Sequence, residues 1–216
     1  MSDRIVIVTG GTLGEWALGH LDRDARIVGA DRGALFLVRH GFKPLLSLGD
    51  FDSVTPEERE EIRRYSETFV DCDPVMKDLT DTEMAFLWAI EQRPREIVLL
   101  GALGTRFDHS LANVHLLRQA LERGIGCSIV DRCNEIRLLG PERVLTLTSG
   151  AYAHVSLLPL SMEVKGITLE GFKYPLTDAT LVVGQSLGIS NVIEGTSGRV
   201  RIREGLLLVI QSNDGE

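Results

Sequence analysis

The sequence predicts an α/β domain with a mostly parallel sheet flanked by helices, followed by an antiparallel β-sandwich. Up to about residue 140, short runs of β-branched and aliphatic residues alternate with amphipathic segments, which is typical of βαβ units. Beyond that point, short alternating runs are separated by Gly, Pro, Asn and Asp, and no convincing helix is visible. We therefore expect an α/β domain at 1–140 and a β-sandwich domain at 141–216.

The apolar runs of the first domain are typical of strands that are buried on both faces of a sheet. We predict strands at Ile5–Val8, Ile27–Ala30, Leu45–Leu48, Ile97–Leu100 and Cys127–Val130. The clearest helices are Pro56–Tyr65, Thr80–Glu91 and Leu111–Arg123. In the second domain, strands are predicted at Val144–Thr148, Ala153–Leu158, Ala179–Val183 and Leu206–Ile210.

The composition is that of a globular protein, since 44% of the residues are hydrophobic and 25% are charged. The formal net charge is −8, whereas nucleic acids are bound by clustered Lys and Arg, so we expect no nucleic-acid partner. An acidic protein can still bind a phosphorylated small molecule if a cation such as Mg²⁺ lies between the carboxylates and the phosphate.

The N-terminus lacks the basic leader and the apolar run of a secretory signal, and no apolar stretch is long enough to cross a bilayer. We therefore expect a cytoplasmic protein with no membrane partner. The three cysteines, Cys72, Cys127 and Cys133, have no CxxC spacing, which favours free thiols over disulfides or a zinc site.

The first polar motif, GDFDS from Gly49 to Ser53, directly follows a predicted strand. Open α/β sheets bind ligands beyond the carboxyl ends of their strands, and two aspartates one residue apart can converge on one Mg²⁺. Alternatively, Asp50 and Asp52 only form an Asx-turn and cap the helix that begins near Pro56. This segment alone leaves both interpretations open.

The second motif, KDLTDTE, begins at Lys77 and lies at the start of a predicted helix. Thr80 and Glu83 fit a capping box, and the helix dipole favours a carboxylate at Asp81. Capping does not explain Lys77 or Asp78, and a helix N-terminus that faces a crevice also binds phosphate.

Six aspartates lie near strand ends or helix starts within about one βα repeat: Asp50, Asp52, Asp71, Asp73, Asp78 and Asp81. A solvated acidic surface would instead scatter its carboxylates along helix exteriors. The clustering favours a metal site, although spacing does not say which of the six are ligands.

The third motif, GALGTRFDH from Gly101 to His109, again lies between a strand and a helix. Its glycines allow the backbone to approach a ligand closely, and Arg106 offers the planar fork that phosphates favour. Asp108 could instead cap the helix, and we expect His109 to be only a surface residue.

Together these motifs closely resemble the bacterial thiamine pyrophosphokinase family, over nearly the whole chain. The resemblance rests on ADRGA at 30–34, GDFDS at 49–53, KDxTDxE at 77–83, GALGxRxDH at 101–109 and GISN at 188–191. One position departs from the family, which more often has two glycines after Asp31, whereas the first is Arg32 here. The Arg32 side chain either points away from the nucleotide or adds a phosphate contact.

The resemblance implies an enzyme that transfers a diphosphate from ATP to the hydroxyl of thiamine and releases AMP, with Mg²⁺ as cofactor. It also implies that 1–140 is the nucleotide-binding catalytic domain, that 141–216 is the thiamine-binding domain, and that the protein is a homodimer that binds thiamine where the two subunits meet. The catalytic positions that match are Asp50, Asp52, Asp81 and Asp108, of which the first three match Mg²⁺ ligands. Asp81 or Asp108 is our candidate for accepting the hydroxyl proton.

Further positions match residues that contact ATP or thiamine: Asp31, Lys77, Asp78, Thr80, Arg106, Ser190 and Asn191. Lys77 and Arg106 would offset phosphate charge, and the last two match the segment that contacts thiamine.

Two alternatives remain at this level. A related pyrophosphokinase acting on another hydroxymethyl heterocycle, such as a pterin, would share the metal site, and the GISN match at 188–191 favours thiamine over it. A non-catalytic regulator that binds thiamine diphosphate or a nucleotide is less favoured, because a pure binder has no need of so many mutually repelling carboxylates.

Overall fold

The computed structural model describes residues 3–22, 25–72 and 78–215. The chain divides into two compact units, residues 1–132 and 133–216. Lys77 and Asp73, which the sequence analysis singled out, lie outside the described residues. The domain boundary that we placed at residue 140 stays a prediction.

The sheet of the first unit confirms the predicted parallel arrangement. Its described strands are β1 (Arg4–Val8), β2 (Arg26–Ala30), β3 (Leu46–Gly49), β4 (Thr68–Asp71), β5 (Glu96–Leu100) and β6 (Gly126–Val130). They run parallel in the order β4-β3-β2-β1-β5-β6. The central strands are almost wholly buried, which explains why their aliphatic runs were readable from the sequence.

The helices of this unit are α1 (Arg32–Arg39), α2 (Pro56–Tyr65), α3 (Asp81–Glu91) and α4 (Phe107–Glu122), with a 3₁₀ turn at Glu15–His20. Helix α2 has the predicted bounds, since Thr55 forms a capping box with Glu58 and Pro56 occupies the first turn. Helix α4 begins four residues before the predicted start at Leu111.

Helix α1 begins immediately after β2 and packs closely against the end of β1. A Cβ atom on Gly33 would lie 2.1 Å from the carbonyl oxygen of Val8 and 2.7 Å from the amide nitrogen of Thr9. Only glycine therefore allows the first turn of α1 to lie this close to the backbone that follows β1.

The second unit is antiparallel, as predicted. Its strands are β7 (Asn134–Leu139), β8 (Val144–Thr148), β9 (His154–Pro159), β10 (Glu163–Glu170), β11 (Ala179–Val182), β12 (Ser197–Arg201) and β13 (Leu207–Ser212). They pair in the orders β7-β13-β9 and β11-β10-β12-β8. One cluster of buried side chains, including Leu139, Leu157, Val164 and Val200, draws on strands of both groups and forms the core.

All three cysteines are free and partly buried, in agreement with the expected free thiols. Among the helices within the described ranges, none combines the length and apolarity that a bilayer span requires. The cytoplasmic location stays a prediction.

Candidate active site

A cleft of about 540 Å³ opens in the first unit at the carboxyl ends of β1, β2, β3 and β5. Ligands of open parallel sheets bind at this edge. The residues that border the cleft are Thr9–Gly11, Ala30, Asp31, Asp50, Asp52, Leu79–Thr82, Gly101–Arg106, His109, Ser110 and Asn113. All three polar motifs of the first unit therefore contribute to a single cavity.

Three carboxylates in this cleft lie close enough to share a cation. Asp31 follows β2, and Asp50 and Asp52 follow β3, which pairs with β2 in parallel. One oxygen from each aspartate lies within 4.8 Å of an oxygen of the others. Hard carboxylate oxygens at this spacing suit a divalent cation such as Mg²⁺ or Ca²⁺, and the cluster is a possible metal site.

The two carboxylate oxygens of Asp31 have different surroundings. Its Oδ2 accepts a hydrogen bond of 2.6 Å from the Ser53 hydroxyl. Its Oδ1 is buried and has no hydrogen-bond partner among the described residues. Because a buried anionic oxygen is costly when it is unpaired, Oδ1 fits a site that a cation completes.

The backbone of Asp31 has an unusual conformation, with φ 48° and ψ −125°. Its N–H donates to the carbonyl of Leu48 at 3.0 Å, and its own carbonyl accepts from Ala34 at 3.0 Å. Non-glycine residues at positive φ are strained and cluster at functional sites. Bonds to β3 and α1 hold Asp31 in this conformation at the edge of the cleft.

Asp50 and Asp52 form the Asx-turn that was considered in the sequence analysis, but they do not cap the helix that follows. The backbone N–H of Asp52 donates to Asp50 Oδ1 at 3.2 Å, as in an Asx-turn. Helix α2, however, is capped by Thr55 and not by either aspartate. The turn thus orients Asp50 within the acidic cluster, while helix capping does not explain why the two carboxylates are there.

Asp81 borders the same cleft without belonging to the triad of Asp31, Asp50 and Asp52. A Cβ on Gly49 would lie 3.4 Å from its carboxyl carbon, so the Asp81 carboxyl group lies beside the end of β3. Its assignment as a metal ligand stays a prediction.

Two further aspartates of the predicted cluster are placed elsewhere. Asp71 forms an ion pair with Arg59 of α2. Asp78 is exposed and is absent from the described lining of the cleft.

The residues at the start of α3 cap the helix and also border the cleft. The Thr80 hydroxyl accepts a hydrogen bond of 3.1 Å from the N–H of Glu83, which confirms Thr80 as the N-cap. Thr80, Asp81 and Thr82 all border the cleft. The N-terminal end of an eleven-residue helix thus faces the cavity, where its amides and dipole favour an anion.

The wall that follows β5 is fixed by two buried polar side chains that the sequence analysis missed. The Thr9 hydroxyl donates to the carbonyl of Gly101 at 2.6 Å, and the Asn113 amide donates to the carbonyl of Ala102 at 2.7 Å. Thr9 and Asn113 are only 2% and 7% exposed. The signal for Asn113 was a polar residue on the apolar face of a predicted helix.

The loop after β1 was missed as well, although two consecutive glycines mark it. Gly11 donates to the Gly101 carbonyl at 2.8 Å, and Thr12 donates to that of Leu103 at 2.9 Å. A Cβ on Gly11 would lie 2.2 Å from the Gly101 oxygen. Together with the Thr9 and Asn113 bonds, these contacts engage three successive carbonyl groups of the wall.

Arg106 and Asp108 form an exposed ion pair at the start of α4, with Arg106 Nη2 lying 2.6 Å from Asp108 Oδ2. The hydrogen bond from Arg106 lowers the pKa of Asp108 below its ordinary value, and the same bond raises the pKa of Arg106. Arg106 borders the cleft, and so does His109, which we had expected to be only a surface residue and which is indeed exposed.

Comparison with known proteins decides the family. Residues 20–129 match the family described as "Thiamin pyrophosphokinase, catalytic domain", and residues 143–207 match "Thiamin pyrophosphokinase, vitamin B1 binding domain". The chain belongs to the thiamine pyrophosphokinase family. The family resemblance of the motifs is thereby confirmed, and the second match favours thiamine over a pterin as the acceptor.

Individual relatives agree over nearly the full length. Thiamine pyrophosphokinase of Bacillus subtilis is 32% identical over 196 residues, which cover 91% of each chain. A crystal structure of thiamine pyrophosphokinase from Bacillus subtilis, 32% identical, superposes with a TM-score of 0.90 over 98% of this chain and 100% of that one. Thiamin pyrophosphokinase from Geobacillus thermodenitrificans is 38% identical, with a TM-score of 0.88 over 99% of both chains.

Ser190 and Asn191 lie in the second unit, inside the match to the vitamin B1 binding domain. Asn191 is buried, and its Oδ1 accepts from the N–H groups of Tyr174 and Val192 at 3.1 and 2.8 Å. Its amide also donates to the Tyr174 carbonyl at 2.7 Å. Ser190 is exposed at φ 58°, and its N–H donates to Ser156 Oγ. Asn191 therefore fixes the loop, and Ser190 presents a hydroxyl at its surface.

Arg32, where the family more often has glycine, is the first residue of α1 and is exposed. The pKa of Glu58 on α2 is lowered chiefly by its hydrogen bond to the Thr55 backbone, and the positive charges of Arg39 and Arg32 add to this effect. Arg32 is not among the described residues that border the cleft. Its Cβ nevertheless lies 3.5 Å from the place that a Cβ on Gly10, a residue of the cleft lining, would occupy, and both alternatives for the Arg32 side chain stay predictions.

Proposed function

We propose that this chain transfers the terminal diphosphate of ATP to the hydroxyl of thiamine, giving thiamine diphosphate and AMP. In this step the hydroxyl oxygen bonds to the β-phosphorus, the bond from that phosphorus to the oxygen of the α-phosphate breaks, and the hydroxyl proton passes to a base. The observation that carries the proposal is the cluster of Asp31, Asp50 and Asp52 in a cleft at the strand ends, in a chain of this family.

Mg²⁺ is the cation that we propose for this cluster, with Asp50, Asp52 and Asp81 as the predicted ligands and Asp31, which lies close to Asp50 and Asp52, as a further one. The residues fit such an ion, because all the donors are carboxylates and the buried Oδ1 of Asp31 is unpaired within the described structure. When bound, Mg²⁺ neutralises charge on the phosphate oxygens as the diphosphate is transferred.

The remaining walls are suited to a polyphosphate. The start of α3 directs amide groups and the positive end of a helix dipole to the cleft, close to Thr80. In the wall that follows β5, the carbonyl groups of Gly101, Ala102 and Leu103 accept hydrogen bonds from other donors, so fewer free acceptors repel the phosphate. Arg106 would contact phosphate oxygens by exchanging its bonds to Asp108.

We retain Asp81 and Asp108 as the two candidates for the base that accepts the thiamine proton. Asp81 borders the cleft beside the acidic cluster. Asp108 is not among the described residues that border the cleft, and Arg106 now donates to both of its oxygens, so a turn of Arg106 towards the phosphates would leave Asp108 freer to accept a proton. Lys77 and Asp78 stay proposed contacts for ATP.

For thiamine, we propose that Ser190 supplies a hydrogen bond and that Asn191 shapes the loop that carries it. We also propose a homodimer that binds thiamine where the subunits meet. Light scattering combined with activity at decreasing protein concentration tests this assembly. A fully active monomer would exclude the shared thiamine site.

The decisive experiment is incubation of the purified chain with ATP, Mg²⁺ and thiamine, followed by separation of the products. Thiamine diphosphate and AMP in equal amounts are expected. Formation of ADP, or faster reaction with a hydroxymethyl pterin than with thiamine, would contradict the proposal. The Asp50→Asn variant, prepared in parallel, shows whether a contaminating kinase produces the signal.

A further inference from the structure

Ser53 has no role in the proposed reaction, although its side chain contacts the acidic cluster. Its hydroxyl donates to Asp31 Oδ2 at 2.6 Å. Ser53 follows Asp52 directly in the loop between β3 and α2, whereas Asp31 lies between β2 and α1. This one bond therefore links the two chain segments that supply the carboxylates of the cluster.

The bond also distinguishes the two oxygens of Asp31. A carboxylate has two equivalent oxygens until its surroundings differ, and here Oδ2 is occupied by the hydroxyl while Oδ1 is buried and unpartnered in the described part of the chain. Free rotation of the carboxyl group would exchange the two positions. A donor fixed on one oxygen suppresses that exchange and reserves the other oxygen for a cation.

Apart from the Ser53 bond, the hydrogen bonds described for Asp31 involve its backbone and not its carboxyl group. Its φ of 48° places the residue in a conformation that few side chains adopt. Its N–H and carbonyl are bonded to Leu48 and Ala34, but neither bond fixes the rotation of the carboxyl group. Among the described residues, Ser53 makes the one hydrogen bond recorded for that carboxylate.

We propose that Ser53 is a positioning residue for the divalent cation, acting through Asp31, and that Asp31 is a ligand in addition to Asp50 and Asp52. This inference rests on the proposed metal site in the cleft. Ser53 itself is exposed and lies outside the hydrophobic core, so its replacement is not expected to unfold the protein.

The test measures Mn²⁺ binding to the full chain by electron paramagnetic resonance, without ATP or turnover. Ser53→Ala should raise the Mn²⁺ dissociation constant about 10-fold or more, the usual effect of removing a partner of a metal ligand. Ser53→Thr, which keeps the hydroxyl, should restore most of the affinity. Ser149→Ala is the matched control, since that exposed serine donates to a carbonyl of the second unit.

A double-mutant cycle tests whether Ser53 acts through Asp31. Asp31→Asn alone should weaken Mn²⁺ binding, and adding Ser53→Ala to it should cause little further change. Equal effects of Ser53→Ala in both backgrounds, or no effect in the wild-type background, would overturn the inference. Melting temperatures measured alongside should agree within about 1 °C for wild type and Ser53→Ala, since surface substitutions usually change stability little.

Failure of the metal site and failure of this inference give different results. If Asp50→Asn leaves Mn²⁺ affinity unchanged, the cluster is not the cation site and both proposals fall. If Asp50→Asn weakens binding while Ser53→Ala does not, only the positioning role of Ser53 is excluded.

Discussion

Arg106 binds Asp108 through two hydrogen bonds, from Nε to Oδ1 at 3.3 Å and from Nη2 to Oδ2 at 2.6 Å. Both side chains are largely exposed, so the pair contributes little to the free energy of unfolding. The pair matters instead because Arg106 is a proposed phosphate contact and Asp108 is a proposed proton acceptor. If Arg106 binds phosphate, its hydrogen bonds to Asp108 are released.

The charge of this pair can be followed by titration. Because the Asp108 pKa is lowered in the folded protein, any stabilisation by the pair is fully present above the ordinary Asp pKa and disappears as the pH falls through the lowered value. Carboxyl-carbon NMR should show a higher Asp108 midpoint in Arg106→Ala than in wild type. Arg118→Ala, which removes an arginine paired with Glu122 on the same helix, should leave that midpoint unchanged.

Asp50→Asn and Asp52→Asn should each lower turnover by orders of magnitude, because each removes charge from the proposed cation site and no packing from the core. Steady-state kinetics with ATP and thiamine at saturating Mg²⁺ measure the effect, and circular dichroism confirms that the fold is kept. Asp214→Asn, an exposed change near the C-terminus, is the control. Near-wild-type activity in both cleft variants would refute the assignment.

In the loop at 188–191, one substitution should affect the stability of the protein and another the binding of thiamine. Asn191→Ala should cost about 1–3 kcal/mol, because it leaves backbone groups of Tyr174 and Val192 without their partner. Ser190→Ala should leave the melting temperature nearly unchanged and raise the KM for thiamine, with the KM for ATP unaltered. Unchanged thiamine kinetics in Ser190→Ala would remove Ser190 from the proposed pocket.

The thiols should differ in reactivity. Burial, reinforced by the nearby Glu96 carboxylate, raises the pKa of the Cys127 thiol, so it stays protonated and unreactive at neutral pH although part of the residue is accessible. Alkylation at pH 8 followed by mass spectrometry should modify Cys127 last. Denaturation should abolish the difference, and early modification of Cys127 in the native protein would contradict this expectation.

The elements that the sequence predicted well are those in which one physical signal dominates. Five of the six described strands of the first unit were readable because their aliphatic side chains are largely buried, and α2 has a complete capping box at Thr55. Strand β4 was missed because Thr68–Asp71 is mostly exposed. Helix α1 was missed because it has only eight residues and no side-chain cap.

For the candidate site, the sequence identified the individual motif residues but not which of them lie together in space. Motifs identified the residues that follow each strand, since the carboxyl ends of parallel strands meet at one edge. Which of them lie together depends on strand order, and so the approach of Asp31 to Asp50 and Asp52 was not visible in the spacing. The side chains that hold the walls, Thr9 and Asn113, carry no motif at all.

A substitution at Gly33 should impair activity, although this residue has no side chain that could touch substrate. A methyl group there would collide with the backbone of Val8 and Thr9, and α1 would have to move away from the sheet. Because Asp31 immediately precedes α1, the displaced helix would carry its carboxylate out of the acidic cluster. In a mutational scan scored by activity, this glycine would rank with the aspartates, although it has no side chain that could take part in the chemistry.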